Sequence, residues 1–416
     1  MWLLLLMIFV MPYEANPYLL ISESFLGIFT DFTFIKLLGL IGFVWAMVAI
    51  VSGTRTGFMS ALQARLFLFF YLCVLLAGLM SGSGFIIVQR YLGFLLFLPF
   101  VLVTVRTHDD LKRVLTALVL SLVFVFPYAI RQMYRFDSRL GVGLYETNYF
   151  AANLLLVIPL AFALARQQRS GAKKLGLALG GLVLVLSLLL TSSRGGFLGL
   201  LVAGLIFAYR RRGIVAAAGL FAALVVGAFT FSDLGTRAIA TLTEDTSAPA
   251  GLEASNRAHV ALFWAGLQMV AEAPLTGVGP DRFRELSHLY TGLGRSYVAH
   301  NSYLEIAAEL GLPVLAIFLA MTFTTFTAFG RAAKLRGDRQ AFELAQWADA
   351  LRIGLVGFLV AGAFISAQYE KRFWIVVFLS IVVDRLARRY ARRARAVEPV
   401  PEAPPLPGRM LPEVSL

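Results

Sequence analysis

The stretch LGLALGGLVLVLSLLLTSS, residues 175–193, contains no charged side chain. A helix needs about 20 mostly apolar residues to cross the hydrocarbon core of a bilayer, and this stretch has that length. Three more stretches are free of charge over a similar length, at residues 147–165, 213–232 and 310–330. Their recurrence predicts helices that cross a membrane several times.

The composition of the whole chain agrees with this prediction and excludes a soluble protein. Of the 416 residues, 59% are hydrophobic and 15% are charged. A soluble protein cannot bury so large an apolar fraction, because its surface must be largely polar. The one cysteine, Cys73, lies in an apolar run. This excludes a disulfide framework and a thiolate metal site.

Shorter or less regular apolar stretches raise the predicted number of spans to about twelve. They are residues 37–54, 66–80, 84–105, 114–130, 195–209, 353–369 and 373–383. We interpret residues 2–30 as a first span that is broken or re-entrant, because two prolines and Glu14 interrupt its apolar run. A cleaved signal peptide is the alternative, which the lack of a basic segment at the N-terminus disfavours. The sequence therefore predicts an all-α, polytopic integral membrane protein.

The basic residues predict which side of the membrane each loop occupies. Most of the Lys and Arg lie in short links on one side of the alternating spans, and in the tail that starts at Arg385. Short loops rich in Lys and Arg stay cytoplasmic, so we expect both termini to be cytoplasmic. The net charge of +13 is thus a topology signal and does not indicate a nucleic-acid partner. The tail ARRYARRARA is expected to contact anionic membrane lipids.

A long segment between two groups of predicted spans lies on the other side of the membrane from these basic links. Residues 232–299 contain more acidic than basic residues, as an external segment should. Periodic apolar residues predict an amphipathic helix over 257–271, and Pro280 predicts a short helix over 280–289. The predicted regions are transmembrane helices 1–9 in residues 1–231, a long external loop in 232–302 that we expect to carry the functional site, transmembrane helices 10–12 in 303–386 and a basic, proline-rich cytoplasmic tail in 387–416.

Arginines at the outer membrane surface are candidate binding residues, since ionisable groups near lipid are costly and usually serve a function. Arg194 lies in TSSRGG, a turn that needs only small residues. Arg257 lies in the first turn of the predicted amphipathic helix, where a cation is unfavourable unless an anion binds there. Guanidinium groups bind phosphate oxygens bidentately. Arg139 and Arg282 are further candidates on this side. The alternatives are an arginine at the lipid interface and solvated loop arginines.

His300 is the candidate proton acceptor. Ser302 and Glu305 have the spacing of a capping box, which predicts a helix that begins at Tyr303 and places His300 just before it. The positive end of a helix dipole favours a neutral imidazole, the form that accepts a proton. A structural histidine is the alternative interpretation.

Several common sites are missing from the sequence. It contains no GxxxxGK[ST] loop, no HExxH and no outward-facing carboxylate cluster with metal-ligand spacing. The predicted chemistry therefore uses no nucleotide, metal or other cofactor. A transporter would show polar breaks at the midplane of several spans, and the long apolar spans lack them. Arginine and histidine at the outer surface suit a lipid pyrophosphate donor, whose leaving group needs positive charge to stabilise it.

Three segments of the sequence are similar to motifs of a known protein family. They are SSRGGFLGL at residues 192–200, APLTGVGPDRF at 273–283 and HNSYLEIAAELGLP at 300–313. They resemble the O-antigen ligase family of bacterial inner-membrane glycosyltransferases, and the resemblance extends from about Arg139 to Pro313. Its tightest element is His300, Asn301 and, after nine intervening residues, Gly311.

The resemblance implies a reaction, a fold and a set of residues. The reaction is transfer of a polysaccharide from undecaprenyl pyrophosphate to lipid A–core at the periplasmic face of the inner membrane, without metal. The implied fold has about twelve helices and a long helical periplasmic loop, as in the GT-C class of glycosyltransferases. His300 would be the base, or would position the acceptor hydroxyl. The implied substrate-binding residues are Arg194, Arg257, Arg139, Arg282 and Asn301.

The activities of related enzymes, and transport, are alternatives to a ligase. Many O-antigen or exopolysaccharide polymerases carry an outer-loop Arg with a Gly eleven positions later. That Gly is missing after Arg131, Arg135, Arg139, Arg237, Arg257, Arg282 and Arg284. Protein O-oligosaccharyltransferases often extend further beyond the last spans. Val314 departs from the ligase pattern, which has Gly, Thr or Tyr at this position. Outside these enzymes, a transporter of lipid-linked glycans is the alternative.

Overall fold

The computed structural model describes residues 1–14, 17–25, 29–54, 60–83, 85–136, 139–142, 147–231 and 250–397, and these residues are mostly helical. The helices are α1 (Trp2–Val10), α2 (Phe34–Val51), α3 (Leu62–Ser81), α4 (Phe85–Thr104), α5 (His108–Phe136), α6 (Thr147–Arg166), α7 (Gly171–Leu190), α8 (Arg194–Phe231), α9 (Ala250–Glu272), α10 (Arg282–Thr291), α11 (Ser302–Leu310), α12 (Leu312–Ala332), α13 (Arg339–Ala361) and α14 (Lys371–Val397). Two short strands, β1 (Leu20–Phe25) and β2 (Phe29–Thr33), pair antiparallel.

The number and length of the helices confirm the predicted all-α, polytopic membrane fold. Within the described residues, nine helices are long and apolar enough to cross a membrane. They are α2 to α7, the second arm of α8, α12 and α13. The predicted spans 195–209 and 373–383 lie inside α8 and α14.

Helix α8 consists of two antiparallel arms. Gly213 breaks it with a φ of +78°, a backbone conformation that favours glycine. A Cβ atom on Gly204 would lie 3.1 Å from a methyl carbon of Leu220, so the arms pack side by side. This agrees with the two spans predicted on either side of residues 210–212.

The N-terminal region differs from the prediction of one broken span over residues 2–30. It forms the short apolar helix α1, two turns of 3-10 helix and the β1–β2 hairpin. The physical reason is that closely spaced prolines end the helix and that the polar runs at residues 22–24 and 30–31 then break the apolar stretch. Glu14, which interrupts the apolar run in the sequence, accepts hydrogen bonds from Lys371 and Thr33.

Small residues let α6, α8 and α13 approach each other closely. A Cβ atom on Gly199 of α8 would lie 2.5 Å from the carbonyl oxygen of Gly357 on α13. A Cβ atom on Gly354 would lie 2.8 Å from the carbonyl oxygen of Leu156 on α6. Helices in lipid associate largely through such close packing. These contacts fix the three helices relative to each other.

Helices α12 and α14 connect two polar ends of the bundle. We name one end the His300 face, which carries residues 190–194, 299–302 and 362–370. The other end, the arginine face, carries Arg65 at the start of α3, Arg331 at the end of α12 and the second half of α14. The distribution of Lys and Arg predicts that the His300 face is external.

We predict that Gly199→Ala lowers the thermal stability of the detergent-purified protein, because the added methyl group meets backbone atoms of α13. The cost is expected to be about 1–3 kcal/mol. Gly219→Ala in the same helix is the matched control, since nothing lies within 4 Å of its Cβ position. Equal melting temperatures for Gly199→Ala and wild type would contradict the packing described.

Candidate active site

Two helices predicted in the outer segment are present. The predicted helices over 257–271 and 280–289 correspond to α9 and α10, while residues 232–249 lie outside the described part of the chain. Helix α9 begins at Ala250, so Arg257 lies in its second turn. The predicted placement of Arg257 in the first turn was wrong, because the alanine-rich residues before it extend the helix. The helix-dipole argument for an anion at Arg257 therefore no longer applies.

The segment between α9 and α10 packs against the end of α11. The N–H groups of Val278 and Gly279 donate to the carbonyl oxygens of Ala308 and Glu309, at 2.8 and 3.0 Å. Gly277 has a φ of +67°, and a Cβ atom there would lie 2.2 Å from the carbonyl carbon of Glu309. Gly277 is therefore needed for this close approach of two backbones. Gly279 has a φ of +111°, and a Cβ atom there would lie 2.7 Å from the side chain of Ser81.

Asn301, and not Ser302, caps helix α11. Its side-chain oxygen accepts hydrogen bonds from the N–H groups of Tyr303 and Leu304, at 3.0 and 3.1 Å. The cap therefore lies one residue before the predicted one, and Glu305 accepts from the N–H of Ala299 rather than completing a capping box. Asn and Ser are comparable caps, so spacing alone does not separate the two registers. His300 still directly precedes the cap, as predicted.

Ser302 instead ties the start of α11 to the loop at residues 362–370. Its N–H donates to the carbonyl oxygen of Gly362 at 2.8 Å, and its hydroxyl donates to that of Ile365 at 2.7 Å. The same hydroxyl accepts from the N–H of Ala367 at 2.8 Å. The segment before α11 and the loop between α13 and α14 are thus held together.

The buried carboxylate of Glu305 joins the same two segments. One oxygen accepts from the N–H of Ala299 at 3.0 Å and from the hydroxyl of Ser366 at 2.5 Å. The other accepts from the amide of Gln368 at 2.6 Å. Burial raises the pKa of Glu305, while these three donors act to lower it. Glu305 therefore fixes the residue before His300 on the 362–370 loop.

His300 has an unusual backbone conformation. Its φ is +50°, in the left-handed region that non-glycine residues rarely adopt. Ser192 and Asp281, which precede Arg194 and Arg282, also have positive φ. Such strain persists only where the surroundings impose it, and it often marks functional sites.

The His300 ring is half-buried beside a second histidine. Its centroid lies 4.9 Å from the centroid of the His259 ring on α9. Burial lowers the pKa of His300 below its ordinary value of 6.5. The imidazole is therefore neutral at neutral pH, as a proton acceptor must be. The sequence predicts a neutral imidazole because of the helix dipole, whereas in the structure burial is the cause of the lowered pKa.

Arg194 and Arg139 lie at the same face. Arg194 begins α8, and a Cβ atom on the adjacent Gly195 would lie 2.8 Å from Phe364 of the 362–370 loop. The N–H of Leu140 donates to the carbonyl oxygen of Leu190 at 3.1 Å, which places Arg139 beside the same turn. The 362–370 loop thus contacts both the Arg194 turn and the His300 segment.

The remaining candidate arginines lie on the outer helices. Arg257 is exposed on α9, two residues before His259. Residues two apart on a helix point in different directions, so Arg257 does not share the side of α9 that meets His300. Arg282 forms an ion pair with Glu285 at 3.8 Å. Helix α9 itself is held on α11, where a Cβ atom on Gly266 would lie 2.5 Å from Leu304.

Sequence reasoning missed the polar residues of the 362–370 loop and its neighbours. Burial raises the pKa of Glu370 to about 7, and the amide of Asn153 on α6 donates to its carboxylate. The guanidinium of Arg90 lies 5.3 Å from the centre of the Tyr369 ring. The available signal was the charged run EKR that starts at Glu370, between two apolar stretches.

The arrangement suits an anionic substrate. The His300 face combines a neutral imidazole with the cationic side chains of Arg194 and Arg139. Guanidinium groups stabilise phosphate charge, and a neutral imidazole can accept a proton from a hydroxyl. Among the described residues, no group of three His, Cys, Asp or Glu side chains is placed to hold a metal ion.

We predict that Glu305→Gln loosens the His300 segment, because an amide presents one acceptor oxygen and one donor nitrogen where three donors converge. The expected loss of stability is about 1–3 kcal/mol, with faster proteolysis near residue 300. Glu285→Gln, at an exposed side chain of α10, is the control and should leave both measurements unchanged. Wild-type melting and proteolysis for Glu305→Gln would contradict this role.

Part of the chain matches a known protein family. Residues 179–319, from α7 into α12, match the family model described as O-antigen ligase. The matched range contains Arg194, Arg257, Arg282, His300 and Asn301. No curated protein matches the chain. The resemblance of the motifs is thereby confirmed: over residues 179–319, about a third of the chain, the protein is similar to the O-antigen ligase family.

Proposed function

We propose that this protein is an O-antigen ligase, a glycosyltransferase that moves a polysaccharide from undecaprenyl pyrophosphate to lipid A–core. The reaction would take place at the periplasmic face of the inner membrane, with both termini of the chain in the cytoplasm. The basic links and tail support this orientation, because short loops rich in Lys and Arg stay cytoplasmic. Both substrates are lipids, so they can reach the His300 face from within the bilayer.

The conformation of His300 is the observation that carries the proposal. Within the pattern His300, Asn301 and Gly311, the latter two have structural roles. Asn301 caps α11, and Gly311 has a φ of +87° where a Cβ atom would lie 2.3 Å from the carbonyl oxygen of Leu275. Packing does not explain a histidine with a φ of +50°. A role in the reaction explains both its residue type and its position.

In the proposed mechanism, His300 takes the proton of the acceptor hydroxyl. The hydroxyl oxygen forms a bond to the anomeric carbon of the donor sugar as the bond from that carbon to the pyrophosphate oxygen breaks. Undecaprenyl pyrophosphate leaves with the bonding electron pair. Arg194, with Arg139 beside the same turn, would stabilise the charge that develops on the leaving group. Arg257 and Arg282 remain proposed substrate-binding residues. Asn301, first expected to bind substrate, is proposed to act indirectly, by capping α11 directly after His300.

We predict that His300→Ala abolishes ligation. In a strain that lacks this gene, complementation with wild type should restore polymer-bearing lipopolysaccharide on a gel. His300→Ala should leave lipid A–core without polymer, since loss of a general base slows transfer about 100- to 10,000-fold. His288→Ala is the matched control, because His288 is exposed on α10.

The same gel separates the alternatives. Core that carries a single repeat unit in the deletion strain would indicate a polymerase. A normal ladder in that strain would contradict both ligase and polymerase, and would direct the search to protein glycosylation or to transport. Full rescue by His300→Ala would contradict the proposed role of this residue.

The rate of transfer should depend on pH through His300. Burial lowers its pKa, so the neutral form persists below the ordinary value of 6.5 and the rate should fall only at more acidic pH. Glu370, with a pKa of about 7, is a second titrating group nearby. Glu370→Gln should therefore keep the acidic decline of the purified enzyme. A decline centred above pH 6.5, or one that disappears in Glu370→Gln, would contradict the assignment to His300.

A further inference from the structure

A cavity of about 770 Å³ lies at the arginine face, at the opposite end of the bundle from His300. The ends of α3, α12 and α14 form its wall. Of the residues described along this wall, six are arginines and one, Asp384, is acidic. The arginines are Arg65, Arg331, Arg385, Arg388, Arg389 and Arg392. We name this site the arginine cavity.

The arrangement of these arginines exceeds what membrane topology requires. Arg385, Arg388, Arg389 and Arg392 recur at helical spacing, so one side of α14 lines the cavity with four arginines. Two of them, Arg385 and Arg389, also donate to the backbone carbonyl oxygens of Val105 and Arg106. Arg65 and Arg331 come from two other helices. The positive-inside rule needs basic residues in cytoplasmic links but does not need them to converge on one cavity.

Asp384 neutralises only part of this charge. Its carboxylate accepts from Arg331 at 3.0 Å and from Arg388 at 2.8 Å. The cavity therefore keeps a large excess of positive charge. Gathering like charges costs free energy, and a bound anion offsets this cost. Guanidinium groups match the oxygens of a phosphate group better than those of a halide, because they donate in pairs.

The other residues of the wall indicate which molecule carries the phosphate. Ser60, Gln63 and Thr327 supply polar groups, while Leu62 and Ile381 supply apolar surface beside them. Leu62 begins one membrane-spanning candidate, and Thr327 lies near the end of another. A ligand in this position meets both charged and apolar groups, as the head and upper chains of a phospholipid do.

We propose that the arginine cavity binds the phosphate head group of an anionic phospholipid from the leaflet at the arginine face. This site is separate from the proposed ligase chemistry and does not depend on it. The bound lipid links the ends of α3, α12 and α14. Because α12 and α14 extend to the His300 face, such a lipid stabilises the helices that position both ends of the bundle.

The test is native mass spectrometry of the full chain in neutral detergent, titrated with phosphatidylglycerol or phosphatidylcholine. Wild type should retain phosphatidylglycerol in preference to phosphatidylcholine. Arg388→Gln combined with Arg392→Gln should raise the dissociation constant for phosphatidylglycerol at least about tenfold. Arg336→Gln combined with Arg393→Gln is the matched control, since it removes two exposed arginines of the same end that do not line the cavity.

The possible outcomes separate the proposal from its alternatives. Equal weakening by the two pairs would overturn it, because general surface charge would then account for binding. Equal retention of the two lipids would also overturn it. Displacement of phosphatidylglycerol by millimolar inorganic phosphate would assign the cavity to a free anion and overturn the lipid assignment. Lipid-free melting temperatures and gel filtration establish that each variant is folded.

Discussion

A buried carboxylate must find hydrogen-bond donors, and the His300 face of this protein depends on how Glu305 finds them. Its donors come from the residue before His300 and from the 362–370 loop. Ala299 and Ser302, on either side of the left-handed backbone of His300, are both tied to this network. The same loop contacts the turn that carries Arg194. One buried charge thus organises the part of the protein to which we assign the chemistry.

The family motifs separate into structural and chemical residues. Gly277 and Gly311 permit close backbone contact, Gly279 adopts a positive φ beside the Ser81 side chain, and Asn301 caps a helix. These roles explain why small or capping residues occur at these positions. His300 is left without a comparable structural explanation. Glycines and caps therefore build a rigid support, and the reactive group is carried on it.

Much of the fold follows from the sequence, because apolar length predicts membrane helices and periodicity predicts α9 and α10. The position of His300 before a helix was also predictable. The link to the 362–370 loop was not, since Glu305 and Gln368 are distant in sequence and hydrogen bonds between distant residues leave no local pattern. The start of α9 was misplaced for a different reason. Ser255 and Asn256 are residue types that favour the cap position, but here they lie within the helix.

The central claim is that Arg194 and His300 act together across the 362–370 loop. A double-mutant cycle tests it directly, using transfer by the purified enzyme from a lipid-linked donor. If the two residues serve one transition state, Arg194→Ala combined with His300→Ala will be little slower than the slower single variant. A combined loss equal to the product of the two separate losses would show that they act independently and would contradict this account.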